Sequence, residues 1–164
     1  MTTPDHFRAL AAYNEWANSR LYEAAGRLDE ESYLQDRAAF FGSIHGTLNH
    51  ILVGDRIWLG RLTGEESGIR SLDQILHTAF DNLWEARQLE DRRIIGFVDG
   101  LKADRLGEIL KYRNTAGEPM ALPIDMILTH LFNHDTHHRG QAHNMLSQAG
   151  ADPQGMDLAY FLQI

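Results

Sequence analysis

No cysteine occurs in the 164-residue chain. Disulfides, cysteine zinc sites and a nucleophilic thiol supplied by the protein are therefore excluded. Positive charge is also scarce: 15 Lys and Arg stand against 23 Asp and Glu, a net charge of −8. Proteins that track phosphate backbones carry a concentrated positive footprint, so no nucleic-acid partner is expected. No apolar run approaches the roughly 18 residues of a membrane span. The opening Met-Thr-Thr-Pro-Asp-His lacks the basic and apolar regions of a signal peptide. The expectation is a cytoplasmic protein without a membrane partner. Prolines number only 4, and no tract rich in Pro, Gly or Ser divides the chain, so residues 1–164 read as one domain. With 43% hydrophobic and 23% charged residues, the composition suits a packed globular core rather than disorder.

What is present is helical periodicity and histidine. A first helix is predicted from Thr3-Pro4 to about Gly26, with proline at its first position, and a short helical turn over Asp29–Leu34. A second runs from the N-cap Ser43 to about Leu62 and stops at Thr63-Gly64. A third starts at the capping box Ser71-Leu-Asp-Gln and continues to Asp99-Gly100. The fourth opens at Pro123 and ends at Ala149-Gly150. Glu108–Leu122 reads as a short hairpin or irregular excursion before the last long helix. The expected fold is all-α, a four-helix bundle with decorations. Trp16, Trp58 and Trp84 are assigned to its core.

Nine histidines are many for this length, and five (His130, His134, His137, His138 and His143) fall within fourteen residues. At about 100° per residue, His138 lies inside the core stripe of the fourth helix and His134 at its edge, while His130 and His137 turn toward solvent. Two imidazoles four residues apart can reach one metal ion, as in other His-x-x-x-His helices. On the second helix His45, Asn49, Arg56 and Gly60 share a polar side. His50 instead lies beside Gly46, Val53, Gly54 and Ile57, facing protein with room around it. Asp55 falls on an apolar face and needs a partner such as an arginine or backbone N–H groups. From these residues alone, hydrogen-bonded core histidines, a solvated histidine face or a metal-scavenging surface outweigh a built metal site, although the i, i+4 pair strengthens the metal reading. No nucleophile-elbow, phosphate-loop or dinucleotide motif is present, so no nucleotide cofactor is expected.

Three segments carry a family resemblance. They are Tyr13-Asn-Glu-Trp-Ala-Asn18, the stretch Phe41-Gly-Ser-Ile-His-Gly-Thr-Leu-Asn-His50 through Asp55-Arg-Ile-Trp58, and His130-Leu-Phe-Asn-His134-Asp-Thr-His-His138-Arg-Gly-Gln141. With them the sequence resembles, over nearly its whole length, the DinB branch of the DinB/YfiT-like metalloenzyme superfamily. The resemblance implies an up-down-down-up four-helix bundle, often a homodimer, holding a divalent metal through His50, His134 and His138. These are the histidines that the helical wheels separate from their neighbours.

Three neutral imidazoles leave an ion its full charge and open positions, the arrangement of a catalytic site. Nitrogen ligands suit zinc or nickel, and also iron or copper. The ion would activate water or hold a thiol as thiolate. The thiol would have to arrive with a cosubstrate, because the chain has none. Relatives in the wider superfamily use low-molecular-weight thiols, so the resemblance implies thiol-dependent S-transferase chemistry or metal-assisted hydrolysis of a small molecule. The competing expectation is a non-catalytic, stress-related metal-binding protein. Asn49, Asp55, Asp135 and Gln141 are the acceptors nearest in sequence for orienting the ligands.

Overall fold

The computed structural model describes residues 2–164. In chain order its elements are α1 (Pro4–Ala25), α2 (Glu30–Leu34), α3 (Ile44–Thr63), α4 (Phe80–Asp99), a 3-10 turn (Ala103–Gly107), β1 (Ile109–Arg113), β2 (Pro119–Pro123), α5 (Ile124–Gln148) and α6 (Leu158–Phe161). The protein is mostly helical. Local chemistry accounts for most of the boundaries. Thr3 caps α1 through the His6 N–H, with Pro4 following, and Ser43 caps α3 through the Gly46 N–H. Gly64 ends α3 in the left-handed conformation (φ 78°), which costs glycine nothing.

The predicted third helix is corrected: α4 begins at Phe80, nine residues after Ser71. The capping signal does form a turn, in which Gln74 Oε1 accepts from the Arg70 N–H. The turn is not continued, because α3 captures the backbone that would propagate it. Asn49 Oδ1 accepts from the N–H groups of Leu76 (2.8 Å) and His77 (3.1 Å). Asn49 is thus buried, not on a polar side, and so is His45, whose Nδ1 meets the Tyr33 hydroxyl at 2.9 Å.

The excursion before α5 is an antiparallel hairpin, paired from Ile109↔Pro123 to Arg113↔Pro119. Asn114 Oδ1 closes its turn by accepting from the Ala116 and Glu118 N–H groups. Among the four long helices, α1 packs on α4 and α5, and α3 packs on the same two, a closed ring of neighbours. Two apolar clusters fill it, one around Leu21, Leu48 and Leu146, the other around Phe7, Ile94 and Leu128. All three tryptophans are partly buried, Trp84 and Trp58 against these clusters and Trp16 beside Phe161 of α6.

A buried polar layer also lies inside the ring. Arg87 of α4 pairs with Asp55 of α3 and, at 3.0 Å, with Asp91. Asn18 of α1 donates to Asp91 at 2.9 Å. Arg139 of α5 donates to Asn14 and Asn18 and lies 3.9 Å from Asp135. Asp55 thereby finds the arginine partner its apolar face demands. Burial first, then each other's charge for Asp55, pushes the Asp55 and Asp135 carboxyls above their usual range. Three carboxyls thus face two guanidinium groups, and the layer holds more acidic than basic side chains. Arg87→Met leaves two buried carboxylates without their cation and should cost about 3–5 kcal/mol. Urea unfolding checks this; a loss below about 1 kcal/mol, the range of exposed ion pairs, would contradict it.

Candidate metal centre

His50 comes from the first half of α3, and His134 and His138 from successive turns of α5, which packs against it. Their ring nitrogens converge: His50 Nε2 lies 3.1 Å from His134 Nε2 and 3.2 Å from His138 Nε2. Among the described residues these three form a group able to hold a metal ion, their donor atoms all within 4.8 Å of one another.

Hydrogen bonds at the far side of the rings decide what the converging atoms are. His50 Nδ1 meets the Leu72 carbonyl at 2.7 Å, and a carbonyl can only accept, so this nitrogen carries the proton. His138 Nδ1 likewise donates to Gln141 Oε1 at 2.8 Å. Both Nε2 atoms are then lone pairs facing each other at hydrogen-bond distance with no hydrogen between them. Protonation does not relieve this, because burial pushes both imidazoles down to about 4. His134 is shifted the same way, again chiefly by burial. Converging lone pairs without a proton are what a cation satisfies. Two nitrogens on a tetrahedral ion at about 2.0–2.1 Å would stand about 3.3 Å apart, so the donor set fits.

Two glycines shape the site, and each makes room for a different group. A Cβ on Gly54 would come within 2.6 Å of His134 Cε1. A Cβ on Gly46 would overlap the Phe41 carbonyl oxygen. Gly46 therefore lets the segment before α3 fold back over its first turns, and the Phe41 ring stacks on His50 at 3.7 Å between centroids. Sequence reasoning assigned Phe41 no role. Its signal was its place at the head of the second segment that carries the family resemblance. The Leu72 carbonyl was missed altogether, since a backbone acceptor leaves no trace in residue type. Of the four proposed orienting acceptors, Gln141 serves His138, and Asp135 lies 3.6 Å from His134 Nδ1. Asn49 and Asp55 are engaged elsewhere. His130 and His137 face solvent as expected, and Gln141 Nε2 donates to His137 Nε2 at 3.1 Å.

A cleft of about 490 Å³ opens on the three histidines. Its walls include Phe41, Trp58 and the hairpin residue Tyr112, so the small sheet serves as one side of the entrance. The arrangement is a helical protein with three neutral imidazoles, drawn from two packed helices, at the floor of an open cleft.

Comparison with known proteins gives the family and the fold. The DinB family model matches residues 1–164, and the chain belongs to the DinB family. It is similar to Protein DinB of Bacillus subtilis (strain 168), 28% identical, with 93% of this chain and 91% of that protein covered. Its fold resembles the crystal structure of a DinB-like protein from Bacillus cereus ATCC 10987, with a TM-score of 0.66 and 21% identity, covering 85% of this chain and 90% of that one.

Two outcomes are expected. Gly54→Ala should push His134 off its position and weaken zinc binding by about tenfold or more, the effect of losing one ligand's alignment. Competition with a chromogenic chelator measures it, and unchanged affinity would show that His134 can move freely. In metal-free protein the ring resonances of His50 and His138 should titrate near about 4, well below the usual imidazole value of about 6.5. Protons then compete with the metal only as the pH falls through that window. NMR titration reads this directly; midpoints near the usual value would refute the burial argument.

Proposed function

We propose that the protein is a divalent-metal-dependent enzyme whose ion is held by His50, His134 and His138, acting on a small molecule with a low-molecular-weight thiol as cosubstrate. The observation that carries this reading is the convergence of three histidine nitrogens, the Nε2 atoms of His50 and His138 free of a proton, at the floor of an open cleft. A bound ion, zinc or nickel by the donor set, would supply Lewis-acid charge that favours the anionic form of a thiol or of water.

The chain's own residues do the rest. The Leu72 carbonyl and Gln141 hold two rings in the tautomer that presents Nε2. Phe41 covers the face of His50 and keeps water from that side. The chain provides no sulfur nucleophile, so a transferred thiol must enter through the cleft. Hydrolysis would use the same three residues with water in the thiol's place. A storage protein would be expected to close its ion with four protein ligands. Three convergent donors beside a cleft favour catalysis instead.

The same reading takes residues 1–164 as one domain, an up-down-down-up four-helix bundle working as a cytoplasmic homodimer. The ring of neighbours α1–α4–α3–α5 supports the bundle, and so does the long crossover from Gly64 to Ala79, the kind of connection that parallel neighbours need. Among the described residues no helix is long and apolar enough to cross a membrane.

Elemental analysis of untagged protein should find about one divalent ion per chain. His50→Ala, His134→Ala and His138→Ala should each lose it, while His45→Ala and His130→Ala keep it. No ion after incubation with zinc or nickel would overturn the reading, and full occupancy in one ligand variant would remove that residue from the site.

A further inference from the structure

The cleft does not end at the histidines. A second cavity of about 550 Å³ continues from it, and the two share Arg61, Leu72 and Thr115 in their walls. The two parts differ in chemistry. The first is aromatic: Trp58 and Tyr112 pack edge to face at 5.4 Å beside the histidine group. The second is polar and has two arginines, Arg61 and Arg70, in its walls.

Arg61 stands at the junction. Its Cζ lies 4.5 Å from the Trp58 ring centre and 4.7 Å from that of Tyr112, so the guanidinium is held against both rings. One hydrogen bond, to the Arg113 carbonyl at 3.0 Å, uses one of its five N–H donors. Among the described residues no carboxylate lies within ion-pair distance of Arg61 or Arg70. The one acidic wall residue of the second cavity, Glu65, is paired with Arg93 at 2.6 Å. In a chain with a net charge of −8, two uncompensated guanidinium groups lining one cavity form a local site for negative charge.

We propose that this cleft binds an amphipathic small molecule, its apolar body against Trp58 and Tyr112 and its anionic end on Arg61 and Arg70. The substrate end that reaches the histidines is then set by length, with the anion anchoring the far end. The assignment rests on the catalytic reading for what happens at the histidines, and on the arginines alone for binding. A carboxylate and a phosphoryl group share this chemistry.

Calorimetric titration of EDTA-treated, metal-free protein with 4-phenylbutyrate, 2-phenylethyl phosphate and the neutral 4-phenylbutyramide separates the terms. At least one anion should bind about tenfold or more tightly than the amide, as expected of hydrogen bonds to a charged group. The tighter of the two anions names the group. Arg61→Met, which keeps most of the stem, should weaken that preference, and adding Arg70→Met should abolish it, while amide binding to either variant changes by no more than about twofold. Arg61→Lys should retain part of it. Equal binding of anion and amide by the parent would overturn the proposal. So would a preference that survives when Arg61→Met and Arg70→Met are combined, since neither arginine could then be its source. Because no metal is present in these titrations, a failure of the metal reading leaves their outcome unaffected.

Discussion

The buried charges between α3, α4 and α5 constrain everything built around them. Arg87 reaches Asp55 and Asp91 from inside the ring of helices, and Arg139 reaches toward Asp135 and the two asparagines of α1. Such a network is weak evidence for stability, because desolvating each ion cancels much of the attraction. What it does supply is register. A one-turn slip of α3 against α4 or α5 would bury an unpaired carboxylate, a far larger penalty than a slipped leucine. Register is what a three-histidine group needs, since its donors come from two different helices.

The layer and the site share a boundary. Asp135 follows His134 in sequence, and its carboxyl, turned into the layer, lies 3.6 Å from that ring's Nδ1. On α3, His50 and Asp55 are five residues apart and face the site and the layer respectively. One helix pair therefore carries the charge network and the ligands on adjacent turns. The same helix recruits the connection that follows it: Asn49 and His50 bind the backbone of Leu72, Leu76 and His77. A segment with a helix-start signal is held open as a result, and its Leu72 carbonyl becomes a determinant of the His50 tautomer.

The chemical character of the centre follows from burial and partner choice together. Burial keeps the imidazoles neutral, and acceptors on Nδ1 turn their lone pairs inward. Cationic groups stand further along the cleft, where Arg61 lies between aromatic rings. The binding surface is thus graded from neutral nitrogen donors, through aromatic walls, to guanidinium groups. This gradation rests on contacts between α3 and the hairpin, elements joined by no local signal.

Helix limits at Thr3-Pro4, Ser43, Gly64 and Pro123 were legible because caps, proline and left-handed glycine act within a few residues. The inward lean of His134 and His138 was legible for a similar reason, since helical periodicity converts spacing into direction. His50 stood apart from His45 by the same periodicity, but the burial of His45 and Asn49 was misread, because Tyr33 of the short α2 and the segment at Leu76 and His77, rather than another long helix, cover that face. By itself the sequence determined the elements, the excess of acid over base, the absence of a protein thiol and the facing of two histidines. Only the tertiary structure decided that His50 meets residues 84 and 88 positions away, that Leu72 and Gln141 set the tautomers, and that Arg61 turns into the cleft. The physical reason is range: capping and periodicity act between neighbours in the chain, whereas convergence of lone pairs depends on how separate helices are registered against one another.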